Sequence, residues 1–103
     1  MQLNLTADGT TLTAIFLGEL DHHACPDARE RIDMKLNGGI YNKLIFDFRG
    51  LTFMDSSAIA LVMGRYKYMS VLNGKVYVVT GDAKMKKILV LAGLDRYVTI
   101  LDN

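Results

Sequence analysis

Leu3-Asn4-Leu5-Thr6 alternates apolar and polar residues, the period of a strand with one covered face. After the turn dipeptide Asp8-Gly9, a second apolar and partly β-branched run extends from Leu12 to Leu17. Together they predict an opening hairpin. From about Ala24 to Leu36 the period changes, with Cys25, Ala28, Ile32 and Leu36 recurring near one face and charges elsewhere. Pro26 sits where a helix begins and Asn37-Gly38-Gly39 stops it. Lys43 to Phe48 is short, aromatic and mostly apolar, which predicts a strand covered on both faces and ended by Arg49-Gly50. A second helix is predicted over about Ser56 to Leu72, where Ile59, Val62, Met63, Tyr66 and Met69 fall at helical spacing before Asn73-Gly74. Val76 to Val79 is a further strand. Asp82 then caps a third helix in which Met85, Ile88, Leu89 and Ala92 share a face, ended by Gly93, and Val98 to Leu101 is the closing strand.

The order is β-β-α-β-α-β-α-β, an α/β pattern in which each helix separates two strands able to lie parallel through right-handed crossovers. A mixed sheet with an N-terminal hairpin and helices packed on it is therefore expected. No repeat, low-complexity tract or Pro-rich linker divides the chain, so residues 1–103 read as one domain. With half of its residues hydrophobic, a chain of this length has enough apolar surface for one core without metal or disulfide staples.

Charge narrows the choice of partner. Twelve basic residues are spread among eleven acidic ones for a net charge of +1, without the concentrated basic face that a phosphate backbone or an anionic membrane selects. Neither direct nucleic-acid binding nor membrane binding is expected. The longest near-continuous apolar run, Ile88 to Leu94, falls far short of the roughly 18 residues needed to span a bilayer. Met1 to Leu5 lacks the basic lead and apolar stretch of a signal peptide, and Cys25 has no second cysteine to pair with, so a reducing cytoplasm is the expected compartment.

Ligands and partners of open sheets favour the carboxyl ends of strands, where loops lead into helices. Two such loops carry carboxylates and hydrogen-bonding side chains: Gly18-Glu19-Leu20-Asp21-His22-His23 before the first helix, and Leu51-Thr52-Phe53-Met54-Asp55-Ser56-Ser57 before the second. Asp55 or Ser56 is expected to serve as an N-cap. Yet three consecutive residues are able to cap a helix that needs only one, which leaves a hydroxyl to spare. Phosphorylating a serine there adds a charge of about −1.5 to −2 at neutral pH. The helix dipole favours that anion while carboxylates at Asp55 and Asp21 oppose it, so the change alters a binding surface more than the fold.

Catalytic and metal-binding readings fare worse. A serine nucleophile needs a histidine base, and although Ser57 with His22 or His23 supplies the residue types, the Gly-x-Ser-x-Gly elbow is absent. Asp21, His22, His23 and Cys25 are chemically able to ligate a metal, but adjacent histidines do not reproduce a zinc-site spacing and no second cluster completes the shell. Neither an enzyme nor a resident metal or cofactor is expected. Cys25 near a helix N-terminus is a candidate for an acidic thiol, against its plainer reading as a small semi-buried residue. The six methionines read as core filling.

The motifs Gly18-Glu19-Leu20-Asp21-His22-His23, Phe53-Met54-Asp55-Ser56-Ser57 and Gly64-Arg65-Tyr66-Lys67 resemble those of the bacterial anti-sigma factor antagonists of the STAS domain family, most closely the sporulation sigma-F type. The likeness covers nearly the whole chain, and Ile88 to Leu94 is similar to the family's leucine-rich third helix ending in Gly-Leu. The resemblance implies partner switching: the unphosphorylated antagonist binds an anti-sigma factor that is also a serine kinase, which frees a sigma factor for transcription. It implies that Ser57 is the phosphoacceptor, that phosphorylation dissociates the complex, and that a serine phosphatase restores it. ATP then enters only through the kinase. On the same basis Asp21, His22, Asp55, Ser56, Ser57, Ala58 and Ala60 are the expected partner-binding residues.

Two features differ from that family's usual pattern. Where it continues Asp-Ser-Ser with glycine, an aliphatic residue and glycine, this chain has Ala58-Ile59-Ala60, and the two added methyls are expected to crowd the approach of a kinase backbone. Relatives also commonly carry one more helix after the last strand, whereas this sequence ends at Asn103. A rival reading with the same fold is a signalling scaffold or small-ligand-binding module that involves no sigma factor.

Overall fold

The computed structural model describes residues 1–102. Five strands, β1 (Gln2–Asp8), β2 (Thr11–Leu20), β3 (Lys43–Met54), β4 (Lys75–Thr80) and β5 (Thr99–Asp102), form one sheet in chain order. β1 pairs antiparallel with β2 through a two-residue turn in which Gly9 takes the left-handed φ of 60° that such a turn requires. β2, β3, β4 and β5 are mutually parallel. The connecting helices are α1 (Cys25–Asn37), α2 (Ser56–Val71) and α3 (Ala83–Leu91), the last followed by a single 3₁₀ turn at Leu94–Arg96. Because each right-handed crossover steps one strand further in the same direction, the three helices share one face of the sheet.

Alternation along the strands shows which face that is. Leu12, Ala14 and Phe16 of β2, Leu44, Phe46 and Phe48 of β3, and Val76 and Val78 of β4 are buried against Ala28, Ile32 and Leu36 of α1 and Leu61, Val62 and Met69 of α2. Phe16, Phe46 and Phe48 meet with ring centroids 5.4 to 6.1 Å apart at the centre. On the opposite face Ile15, Ile45, Tyr77 and Val79 are only half-buried. β3 is therefore covered on one face, not on both as its composition suggested. On the open face Ile45 is half-buried, and Asp47 is held by a two-pronged pair with Arg49, Nε to Oδ1 at 3.0 Å and Nη2 to Oδ2 at 2.8 Å.

The largest departure from the sequence reading is the length of β3. Arg49-Gly50 does not end the strand; the register with β2 slips there, Ile15 facing Asp47 and Leu17 facing Gly50, slips once more between Gly18 and Glu19, and ends with Leu20 opposite Met54. A β-bulge of this kind takes up an extra residue while the strand runs on. Glycine is required at position 50, since a Cβ would lie 2.3 Å from Leu17 Cδ2 and 2.8 Å from the Phe16 carbonyl oxygen. Gly18 to Leu20 and Leu51 to Met54, both read as loop, are thus strand.

Helix α1 buries the four residues its spacing indicated, Cys25, Ala28, Ile32 and Leu36. α2 ends in a Schellman arrangement with Asn73 left-handed, the Gly74 N–H donating to the Met69 carbonyl and the Asn73 N–H to that of Ser70. α3 departs further from expectation. Leu89 is buried and Met85 packs partly, but Ile88 and Ala92 are exposed, because this short helix lies over the sheet's edge, where β5 has only four residues to cover.

Candidate functional site

Because β2 and β3 are adjacent, parallel and end together at Leu20 and Met54, the two chemically loaded segments that follow them emerge side by side. Asp55 joins them. Its backbone is extended (φ −121°, ψ −171°) and its Oδ1 accepts from the Ser57 N–H at 2.9 Å, the geometry of an N-cap on α2. Its Oδ2 accepts from the His22 N–H at 3.1 Å, 33 residues away in sequence. Asp21 instead closes the turn that leads into α1: Oδ1 accepts from the His23 and Ala24 N–H groups at 3.1 and 3.0 Å, and its carbonyl accepts from Ala24 and Cys25.

These contacts set the local electrostatics. Desolvation pushes the Asp55 carboxyl up, but the backbone N–H and side chain of Ser57, the His22 N–H and the His22 ring together outweigh it and hold the group below the usual carboxylate range. The His22 ring stands outside, with Nδ1 3.8 Å from Asp55 Oδ2 and a centroid 3.9 Å from that of His23. Cys25 does not have the acidic thiol its helix-start position suggested. Burial and the carboxylates of Asp55 and Asp21 raise its pKa, against a smaller opposing pull from Arg29.

With Asp55 as the cap, both serines are released from that task. The two serines differ in setting: Ser56 is exposed, whereas Ser57 is half-buried, has its side chain beside the Asp55 carboxylate and lines a groove between α1 and α2. This groove, about 400 Å³, is formed by His22, Cys25, Arg29, Ser57, Ala60 and Arg65 with their neighbours. On the other flank, Phe53, Met54, Met85 and Ile88 line a second hollow of about 360 Å³, in which Phe53 is 52% exposed. The Asp55-Ser56-Ser57 segment is the ridge between the two.

The other expected site residues fall into place unequally. Asp21 is half-buried beside the ridge, and His22 and Ala60 are exposed next to Ser57. Ala58 is fully buried, so its methyl group meets the core instead of an approaching partner. Of the two, only the Ala60 methyl is exposed. Sequence reasoning passed over Arg29 as a wall of the groove, and noted Arg65 only within a family motif. The available signal was helical spacing, since Cys25 and Arg29, and likewise Ser57, Leu61 and Arg65, follow one another at four-residue intervals. Among the described residues no three His, Cys, Asp or Glu side chains stand together as a metal site, and no helix is long and apolar enough to cross a membrane.

A mixed sheet with helices on one face, and a capped Asp-Ser-Ser ridge where two parallel strands end, define a regulatory binding domain of known type. Residues 3–103 match the STAS domain, and the chain belongs to that family. Among its relatives, the anti-sigma F factor antagonist of Lysinibacillus sphaericus is 33% identical over 93 residues, covering 90% of this chain and 79% of that protein. Of solved structures, the unphosphorylated form of the anti-sigma factor antagonist SpoIIAA superposes with a TM-score of 0.86 at 28% identity, covering 99% of this chain and 88% of that one. The phosphorylated form of the Bacillus cell fate determinant SpoIIAA gives 0.79 at 29% identity, covering 99% and 91%.

Proposed function

We propose that this chain is a cytoplasmic anti-sigma factor antagonist whose unphosphorylated form binds an anti-sigma factor that is also a serine kinase, thereby freeing a sigma factor. The kinase transfers the γ-phosphoryl group of ATP to the Ser57 oxygen, ADP departs with the bridging oxygen, the serine proton is lost, and the complex separates. A serine phosphatase hydrolyses the ester and returns the chain to its binding form. The partner meets the ridge and its flanks, Asp21, His22, Asp55, Ser56, Ser57 and Ala60, while Ala58 supports them from beneath. The chain itself supplies no catalytic group.

One observation carries this reading: at the mouth of α2, Asp55 caps the helix through the Ser57 backbone N–H, so the Ser57 hydroxyl is not spent as the cap, and Ser57 is only half-buried at the groove. A phosphoryl group there adds about two negative charges to a partly desolvated contact, where an unmatched charge is costly. That one solved relative is a phosphorylated form of SpoIIAA supports the same choice of chemistry. The experiment is incubation with the cognate anti-sigma kinase and ATP, followed by mass spectrometry of the peptide holding both serines. Phosphate on Ser57 is expected; phosphate on Ser56 alone, or on neither, overturns the assignment.

A further inference from the structure

Ser57 shares its groove with two guanidinium groups that have donors to spare. Arg29, on the α1 wall, forms no ion pair among the described residues. Arg65, on the α2 wall, has a side chain only 12% exposed, and its Nε lies 3.0 Å from Asp33 Oδ1. The pair is so poorly aligned that the buried Nε–H makes no hydrogen bond. The two arginines also oppose each other: burial lowers the Arg65 pKa, Asp33 offsets part of this, and the charge of Arg29 lowers it further. Two cations lining one concave site, one without an ion pair among the described residues and the other with a buried N–H lacking a hydrogen bond, form the arrangement that an anion relieves.

Resting on the reading of Ser57 as phosphoacceptor, we propose that the α1–α2 groove receives the Ser57 phosphoryl group within the same molecule, with Arg29 as its principal ligand and Arg65 as the second. The phosphoryl group is attached to a residue that already lines the groove, so it needs only a side-chain rotation to reach the wall opposite. Asp55 and Asp21 repel it from the ridge, Asp33 competes for Arg65, and His22 and His23 stand at the open end. The same repulsion that expels the group from the partner surface directs it inward. Phosphorylation then changes the surface twice, by adding charge beside Asp55 and by drawing the free Arg29 over the groove.

The test uses the full chain with phosphoserine encoded at position 57, so its outcome does not depend on whether any kinase selects that serine. The second ionisation of the phosphate, about 6 when unperturbed, is followed by ³¹P NMR across a pH titration. Nearby cations favour the dianion, so Arg29→Gln is expected to raise that ionisation by about 0.5 unit or more relative to the parent phosphoprotein. Arg29→Lys, which keeps the charge but loses the fork, falls between. Lys35→Gln, on the same helix outside the groove, leaves it unchanged. Arg29 is exposed and forms no ion pair among the described residues, so the variant folds; circular dichroism verifies this. Identical titrations for the parent and Arg29→Gln, or an equal shift from Lys35→Gln, overturn the proposal.

Discussion

The Asp55 carboxylate holds the backbone N–H of His22 at 3.1 Å while its other oxygen caps α2, so a single side chain fixes the spacing between the two loops that make the site. Removing it releases both at once. Asp55→Ala is expected to lower Tm by about 4–8 °C, the scale of a lost cap in a domain of this size. Asp55→Asn, which retains an acceptor for Ser57 but faces the His22 N–H less favourably, should lose less. Differential scanning calorimetry of the two variants beside the parent measures this, and an Asp55→Asn protein as stable as the parent would show that the His22 contact is idle.

Ser57→Asp is expected to weaken anti-sigma binding at least tenfold, about 1.4 kcal/mol, by placing a permanent charge on the contact. Ser57→Ala should bind as the parent does and take up no phosphate. Isothermal titration calorimetry reads the first and phosphoryl transfer the second; retention of parental affinity by Ser57→Asp would count against a charge gate.

Acid should destabilise the fold through two carboxyls. The hydrogen-bonded Arg49 guanidinium holds Asp47 below its ordinary value, with burial opposing, and the N–H donors of Ser57 and His22 do the same for Asp55 against desolvation. A folded pKa below the unfolded one means that the native state binds fewer protons, so the stabilisation is complete above the unfolded value of about 4 and is lost as pH falls through the folded one. Urea midpoints should therefore be flat near neutrality and drop below about pH 4. In Arg49→Met the folded Asp47 pKa rises toward its unfolded value, so stability near neutrality falls and the acid drop becomes shallower; an unchanged acid limb would remove this pair from the account.

Gly50→Ala should destabilise by about 1–3 kcal/mol, because its Cβ would overlap both Leu17 and the backbone of Phe16 and the bulge has no slack to yield. Chemical denaturation measures the loss. The variant also displaces the Leu51–Met54 segment that delivers Asp55, so weaker partner binding should accompany it.

The two alanines after the serines should separate stability from recognition. Ala58→Gly acts inside the core and costs stability with little change in partner affinity, whereas Ala60→Gly alters the exposed wall and should change affinity. Each costs up to about 1 kcal/mol in helix propensity. A binding change confined to Ala58→Gly would reverse their roles.

Much of this was legible in local pattern. The helical period of Cys25, Ala28, Ile32 and Leu36 marks the buried stripe of α1, and Asp8-Gly9 and Asn73-Gly74 mark turns, because side-chain period and left-handed backbone are properties of a few neighbouring residues. The continuation of β3 through Arg49-Gly50 was not legible, since a bulge and a strand end both present glycine after a charged residue. Only the facing residues Phe16 and Leu17 distinguish them.

By itself the sequence determined the element order, the buried stripe of α1, and the crowding of polar side chains after two strands, all of which follow from spacing along the chain; in α2 only Val62 and Met69 of the expected stripe are buried, joined by Ala58 and Leu61. Tertiary structure alone decided which residue caps α2, that Asp55 reaches His22, that Ala58 turns inward while Ala60 does not, and that Arg29 and Arg65 meet across one groove from Ser57. Those are distances between segments remote in sequence. They exist only once two parallel strands have been brought level and two helices laid side by side on the sheet.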